Sequence, residues 1–190
     1  MGSQKNIEIR NLNKSYGNKK VLENFNATFE YGTVTCLMGE SGCGKTTLVM
    51  SIIDMLDEKP AVIFQEDRLC EDFDAIENVR LVNDECDAVT VLLSLGIADE
   101  DMKRPVKELS GGQKRRVSIA RALACRDKSG KPRELLIMDE AFKGLDEKTR
   151  EKVAKEILKY YSFIIMVAHD ADEAELMGAE VLKLEKLKRD

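Results

Sequence analysis

Eight consecutive residues, Gly39-Glu40-Ser41-Gly42-Cys43-Gly44-Lys45-Thr46, set a glycine at each end of a six-residue stretch, then a lysine and a hydroxyl. Glycines let a backbone curl so that successive N–H groups converge on an anion. A helix that starts where such a loop ends turns its positive end to the same point. Lys45 then brings a point charge to the β- and γ-phosphates of a nucleotide, and the Thr46 hydroxyl is a ligand for Mg²⁺. With Thr47 these are the candidate ATP-binding residues, Cys43 bringing no chemistry of its own beyond a thiol that could be oxidised. The bland alternative is a chance glycine-rich turn. It is disfavoured because a strand-length apolar run, Val34–Met38, precedes the loop and an apolar helical stretch follows it.

A second pattern complements the first. Leu135-Leu136-Ile137-Met138 is an apolar strand that ends in Asp139-Glu140, and a buried parallel strand delivers such acids to the carboxyl edge of its sheet. Asp139 is the candidate metal ligand and Glu140 the group that takes a proton from an attacking water. Alone this is weak, since strands often end in solvated acids; beside a phosphate loop it is strong. Leu109-Ser110-Gly111-Gly112-Gln113 opens a helix, and Ser110 with the amides of Gly111 and Gly112 can form a second anion nest. Two phosphate-binding ends with one phosphate loop imply a composite site. His169 is the only histidine; it closes the apolar run Ser162–Ala168 and precedes an acidic helix, a better position than the surface or structural role usual for a lone histidine.

These residues need a scaffold to bring them together. Ile7–Leu12, Val21–Phe29 and Thr33–Met38 read as strands separated by turn residues Tyr16-Gly17-Asn18 and Tyr31-Gly32. A helix through Leu48, Ile52, Ile53 and Met55 ends before Pro60, and Ala61–Phe64 is a short buried strand. From Glu66 to about Gly130 the pattern is helical. Cys86, Val89, Leu93 and Ile97 fall at helical spacing with Gly96 as C-cap, Pro105 breaks the chain, and Gly112–Arg126 is a second helix. Strands Glu134–Met138 and Ser162–Ala168 flank a charged helix, Glu147–Lys159; a helix at Ala171–Met177 and a strand at Ala179–Leu184 follow. Strand–helix alternation predicts an α/β fold with a mostly parallel sheet into which a helical segment is inserted.

Composition narrows the class. With 43% hydrophobic and 34% charged residues the chain is globular rather than disordered. A net charge of −5 with both signs interspersed argues against a nucleic-acid surface, and the basic ending from Lys183 to Asp190 reads as a solvated tail. Five scattered cysteines without a C-x-x-C pair fit reduced thiols, not a zinc ribbon or a disulfide framework. No secretory signal or run of eighteen apolar residues is present, so any membrane connection goes through a partner.

Leu109-Ser110-Gly111-Gly112-Gln113 followed by KRRVSIARAL resembles the signature motif of ABC ATPases, and the resemblance extends over essentially the whole chain with each motif in order. It implies a P-loop NTPase (RecA-like) core with an antiparallel β N-terminal part and a helical subdomain: one domain over 1–190, with 1–66 and 130–190 as the nucleotide-binding lobe and 67–129 as the helical lobe. It implies that Tyr16, in Ser15-Tyr16-Gly17, stacks on adenine. Gln65, in Phe64-Gln65-Glu66-Asp67, reaches the Mg²⁺–water site, and His169 contacts the γ-phosphate. Asp146, in Gly144-Leu145-Asp146, lies in the loop that meets a partner, and the signature of one protomer closes on ATP held by another. Two departures stand out. Only twenty positions separate Lys45 from Gln65, fewer than the family's usual number, and the loop DEAFKGL replaces smaller residues before Leu145.

The resemblance makes the chain the energising subunit of an importer-type ABC transporter. Its implied partners are a second ATPase subunit, a homodimer forming with ATP, and a transmembrane permease that meets the surface around Gln65–Asp74. The expected place is cytoplasmic, peripheral on the inner face of the membrane, with no nucleic-acid partner. The alternative is a soluble ABC-family ATPase acting in DNA repair, chromosome organisation or translation; such types usually carry a coiled-coil insertion, tandem ATPase domains or a basic surface, which this chain lacks. A third, a catalytically weak binding module, is opposed by the intact Glu140 and His169. The cargo is not written in the chain.

Overall fold

A computed structural model describes residues 5–186; the last four residues of the basic ending lie outside them. Seven strands and seven helices follow in the order β1 (Ile7–Tyr16), β2 (Lys19–Phe29), β3 (Val34–Met38), α1 (Lys45–Met55), β4 (Ala61–Ile63), α2 (Ala75–Arg80), α3 (Ala88–Ser94), α4 (Asp99–Met102), α5 (Gly111–Ala124), β5 (Leu135–Asp139), α6 (Glu147–Tyr160), β6 (Phe163–Val167), α7 (Ala171–Leu176) and β7 (Glu180–Lys183). β1 and β2 form an antiparallel pair, and the other five strands a parallel sheet in the order β4-β5-β6-β3-β7.

The sheet is covered on both faces, which is why β6, and β5 up to Asp139, are unbroken apolar runs rather than alternating ones. Side chains still alternate. Leu136, Met138, Ile164 and Met166 join a core with α2, α3, α5 and α6, while Leu135, Ile137, Phe163 and Ile165 join a second core with α1 and the β1–β2 ribbon. The inserted helices therefore share one apolar core with a face of the sheet. Each fully buried Leu or Ile contributes roughly 1.5–3 kcal/mol.

Short helices here depend on their caps. α2 has a full capping box between Asp74 and Glu77, α3 starts on Asp87 and α6 on Asp146, each side chain accepting from a backbone N–H three residues on. α3 corrects one expectation. Of the proposed stripe, Val89 and Leu93 are exposed, Cys86 precedes the helix and Ile97 follows it; the buried positions are Ala88, Val91 and Leu92. The Asp87 cap and the left-handed Gly96, with Ile97 N–H donating to the Leu92 carbonyl, confine the helix to seven residues. A four-residue period carried past those ends picked the wrong face.

β1 also runs four residues beyond the expected Leu12, because three register shifts against β2 absorb its polar stretch. Asn11 and Asn24 are left-handed at φ 52° each, and their N–H groups donate to the side chains of Asn26 and Asn13. The ribbon consequently ends at Tyr16 paired with Lys19 across the two-residue turn Gly17-Asn18. Only Leu56–Pro60 links α1 to β4, and the Lys59 ammonium donates to the carbonyls of Ile53 and Leu56, closing the end of α1.

Candidate active site

Four adjacent strands of the sheet end on one edge, and each end carries a proposed residue. The phosphate loop follows β3, Gln65 follows β4, Asp139 and Glu140 close β5, and His169 follows β6. The carboxyl edge of a parallel sheet is where ligands bind. A cleft of about 760 Å³ opens there, a size suited to a nucleotide. Ser41, Gly42, Gly44, Lys45, Thr46 and Thr47 line its floor, with Gln65, Asp139, Glu140 and His169 opposite and Tyr16 at the rim, 65% exposed.

The loop's conformation explains its glycines. Gly39 has φ 155°, and a Cβ there would collide with the Leu184 carbonyl oxygen and come within 2.8 Å of the Cys43 sulfur. Gly44 caps α1 at φ 111° without a side-chain bond, and no acidic residue occupies the first turn. The first N–H groups of α1 are thus left for an external anion. Gly39, Glu40 and Cys43 do not line the cleft. The Lys45 ammonium, buried, donates to the carbonyls of Gly39 at 2.6 Å and Glu40 at 3.1 Å, with the Cys43 sulfur 3.9 Å away.

Glu140 is held in an uncommon way. Its φ is 48°, a left-handed conformation that costs a non-glycine residue about 1–3 kcal/mol and that clusters at functional sites. Its N–H donates to the Val167 carbonyl at 3.1 Å. The carboxylate contacts His169 Nε2 at 2.5 Å and Lys143 Nζ at 3.7 Å. Burial, then the neighbouring Glu140 charge, push the Asp139 carboxyl above its usual range, against the pull of Arg115, His169 and Lys45.

The other proposed residues stand apart. Leu109–Gln113 and Asp146 are not on the cleft of their own chain. Ser110 and Gln113 form a capping box at the start of α5, and the Gln113 amide donates to Asp101 at 2.5 Å. The box occupies the N–H groups of Ser110 and Gln113. Gly112 packs near the carbonyl of Gly144, where an added Cβ would sit 3.4 Å away. The signature and the loop bearing Asp146 are therefore neighbours.

Several lining residues were not anticipated. Lys19 closes the hairpin beside Tyr16, Lys143 follows β5, and Glu173 lies in the first turn of α7. Burial raises the Glu173 carboxyl, opposed by Arg150. No helical spacing pointed to Glu173, because His169 precedes Asp170, the N-cap of α7. Arg115 was missed too, although it lies four residues before the buried Ile119 on the same face of α5.

Comparison with known proteins agrees with this arrangement. A family model described as ABC transporter matches residues 22–143. The aliphatic sulfonates import ATP-binding protein SsuB 3 of Paraburkholderia xenovorans (strain LB400) is 35% identical over 193 residues, covering 93% of this chain and 75% of that protein. The bicarbonate transport ATP-binding protein CmpD of Synechocystis sp. (strain ATCC 27184 / PCC 6803 / Kazusa) is 34% identical, covering 94% and 73%. A bacterial ABC transporter cassette, MJ0796, solved as a dimer, superposes with a TM-score of 0.77 at 25% identity over 96% of both chains; the same cassette has been solved in a post-hydrolysis state with ADP and Pi. On its family match, its relatives and its fold, the chain belongs to the ABC transporter ATPases, which bind ATP and hydrolyse it.

Proposed function

We propose that this chain energises an ABC importer by closing, as a homodimer, on two ATP molecules. Supporting this is the split between the two candidate phosphate-binding ends: the phosphate loop lines the cleft, whereas Ser110–Gly112, at the start of α5, do not line it on the same chain. A twofold axis that sets each nest on the other's cleft completes both sites at once. In this reading ATP lies along α1's N-terminus, Tyr16 stacks on its adenine and Lys45 meets the β- and γ-phosphates. Glu140 takes the proton of the attacking water, His169 orients Glu140 and reaches the γ-phosphate, and Asp146 meets the partner copy.

Among the described residues no group of three or more His, Cys, Asp or Glu could hold a metal alone. Of the oxygen-bearing side chains on the cleft, those assigned to the ion are a hydroxyl (Thr46), an amide (Gln65) and a carboxylate (Asp139). Such a set suits Mg²⁺, which retains waters and takes much of its coordination from substrate phosphates. When bound, the ion neutralises charge developing between the β- and γ-phosphates.

The import assignment follows the relatives, which are named for import or transport of sulfonates and bicarbonate. It is the observation that separates this reading from a soluble ATPase of DNA repair or translation. Because cassettes with different cargoes are equally similar, cargo selection belongs to a permease and not to this chain. No helix among the described residues is long and apolar enough to cross a membrane, so the membrane contact is through that permease. Its docking surface is the segment after Gln65 with the exposed Phe73, Leu81 and Val82, and the subunit sits on the cytoplasmic face.

Light scattering on the Glu140→Gln protein tests the sandwich: Mg-ATP should shift the mass from monomer to dimer, and a protein that binds ATP yet stays monomeric would rule out closure by this chain alone. The adenine contact is tested by Tyr16→Ala. Stacking a base on an aromatic ring is worth about 1–3 kcal/mol, so ATP affinity should fall at least fivefold by titration with a fluorescent nucleotide, while Tyr16→Phe retains it.

A further inference from the structure

α5 carries one charge into the core. Arg115 is 3% exposed, and acceptors surround its whole guanidinium. Nε donates to the Ala141 carbonyl at 2.7 Å, and Nη2 to the carbonyls of Asp139 at 3.2 Å and Glu140 at 2.5 Å. Nη1 donates to the Phe64 carbonyl at 2.6 Å and to Asp67 Oδ1 at 3.1 Å, with the Gln65 carbonyl at 3.4 Å. Guanidinium alone among side chains offers five donors in a fixed plane, and here they bind two loops at once: the one leaving β5 with Glu140, and the one leaving β4 with Gln65. Lysine could hold one of them, but not both.

The second loop has a further anchor. Arg121, two turns along the same helix, donates to the carbonyls of Asp67 and Arg68. That contact fixes the loop to α5 without reaching β5. Of these two arginines only Arg115 reaches both loops, and it does so at the carbonyl of Glu140, which is in left-handed conformation.

We infer that Arg115 is a positioning residue for hydrolysis: its guanidinium holds the Glu140 backbone in place and locks it to the Gln65 loop, so that a shift of that loop is felt at the carboxylate that activates water. The inference rests on the proposed role of Glu140 as the base. Arg115 does not itself line the cleft, so its effect passes through the two loops. A misplacement of about 1 Å in such a group can cost about 100-fold in rate, while nucleotide binding, which rests on β3 and α1, is spared.

The experiment measures kcat, KM and equilibrium ATP affinity for purified Arg115→Lys, Arg115→Gln and Asp67→Asn, with Glu140→Gln as a parallel control. The expected pattern is a split: kcat per folded molecule falls about 10–100-fold in Arg115→Gln and about threefold to tenfold in Arg115→Lys and Asp67→Asn, and ATP affinity stays within threefold of the parent. A merely structural arginine would lower the folded fraction and leave kcat per folded molecule unchanged, and that result overturns the inference, as does affinity lost in step with kcat. Should the Arg115 variants not fold, Asp67→Asn decides, because its carboxylate is partly exposed and its removal keeps the guanidinium's other bonds; unchanged kcat there is equally fatal. If Glu140→Gln itself retains activity, the reading of Glu140 as base fails; if it is inactive while the Arg115 and Asp67 variants turn over normally, only the positioning role is lost.

Discussion

Glu140→Gln should lower kcat by about 10²–10⁴ while leaving ATP affinity within a few-fold of the parent protein. Glutamine keeps the volume of the side chain and can still meet His169 Nε2, which lies 2.5 Å from the carboxylate. Its amide cannot accept a proton from water. The backbone arrangement that fixes position 140, the N–H to the Val167 carbonyl and the carbonyl to Arg115, involves no side-chain atom of Glu140 and survives the change. Geometry is thereby held constant and only the chemistry is removed. Glu140→Asp makes the complementary change, keeping the base and withdrawing it by one methylene, and should fall between the two. Phosphate release in single turnover, alongside nucleotide titration, measures both terms. A Glu140→Gln protein that kept more than a tenth of the parental rate would assign the proton to another group. Glu173 on the same cleft would be the next candidate.

The chemistry was legible in the sequence because it depends on short contiguous runs. A phosphate loop is a local backbone structure that eight residues determine, and β6, like β5 up to Asp139, is apolar because both sheet faces are covered. Once β3, β5 and β6 are recognised as parallel strands, their carboxyl ends must share an edge, and Lys45, Glu140 and His169 are brought together without further information. What stayed hidden depends on pairing between distant segments. Nothing local marks Arg115 as the link between residues 64–67 and 139–141, since an arginine in KRRV reads as surface charge. The wrong face of α3 has a different origin. Its register follows from where Asp87 and Gly96 end the helix, and a seven-residue helix is too short for periodicity to correct the choice. The extension of β1 to Tyr16 depends on reciprocal asparagine bonds between two strands, which no single strand reveals. Yet that extension is what carries Tyr16 to the rim of the cleft.

Lys45→Ala should weaken ATP binding by about 100-fold or more without unfolding the protein. The ammonium sits on the cleft, buried, with its donors on the Gly39 and Glu40 carbonyls. It is already desolvated and oriented before nucleotide arrives, so little reorganisation opposes the attraction to phosphate. Two unit charges 4 Å apart gain about 4 kcal/mol at an effective dielectric of about 20. Since 1.4 kcal/mol is tenfold, two-thirds of that gain already gives about 100-fold. The folded state loses much less. Truncation frees two carbonyls at the edge of an open cleft, where water replaces the ammonium, at a cost of about 1 kcal/mol. Thermal unfolding separates the two effects. Without nucleotide, parent and variant should melt within a few degrees of each other. With ATP at about 100 times the parental Kd, ligand linkage stabilises the parent by about 2.7 kcal/mol, whereas a variant weakened 100-fold gains only about 0.4 kcal/mol. An equal upward shift of both proteins by ATP would mean that the loop's N–H groups and the start of α1 bind the phosphates alone, and that Lys45 serves to brace the loop through its two carbonyls.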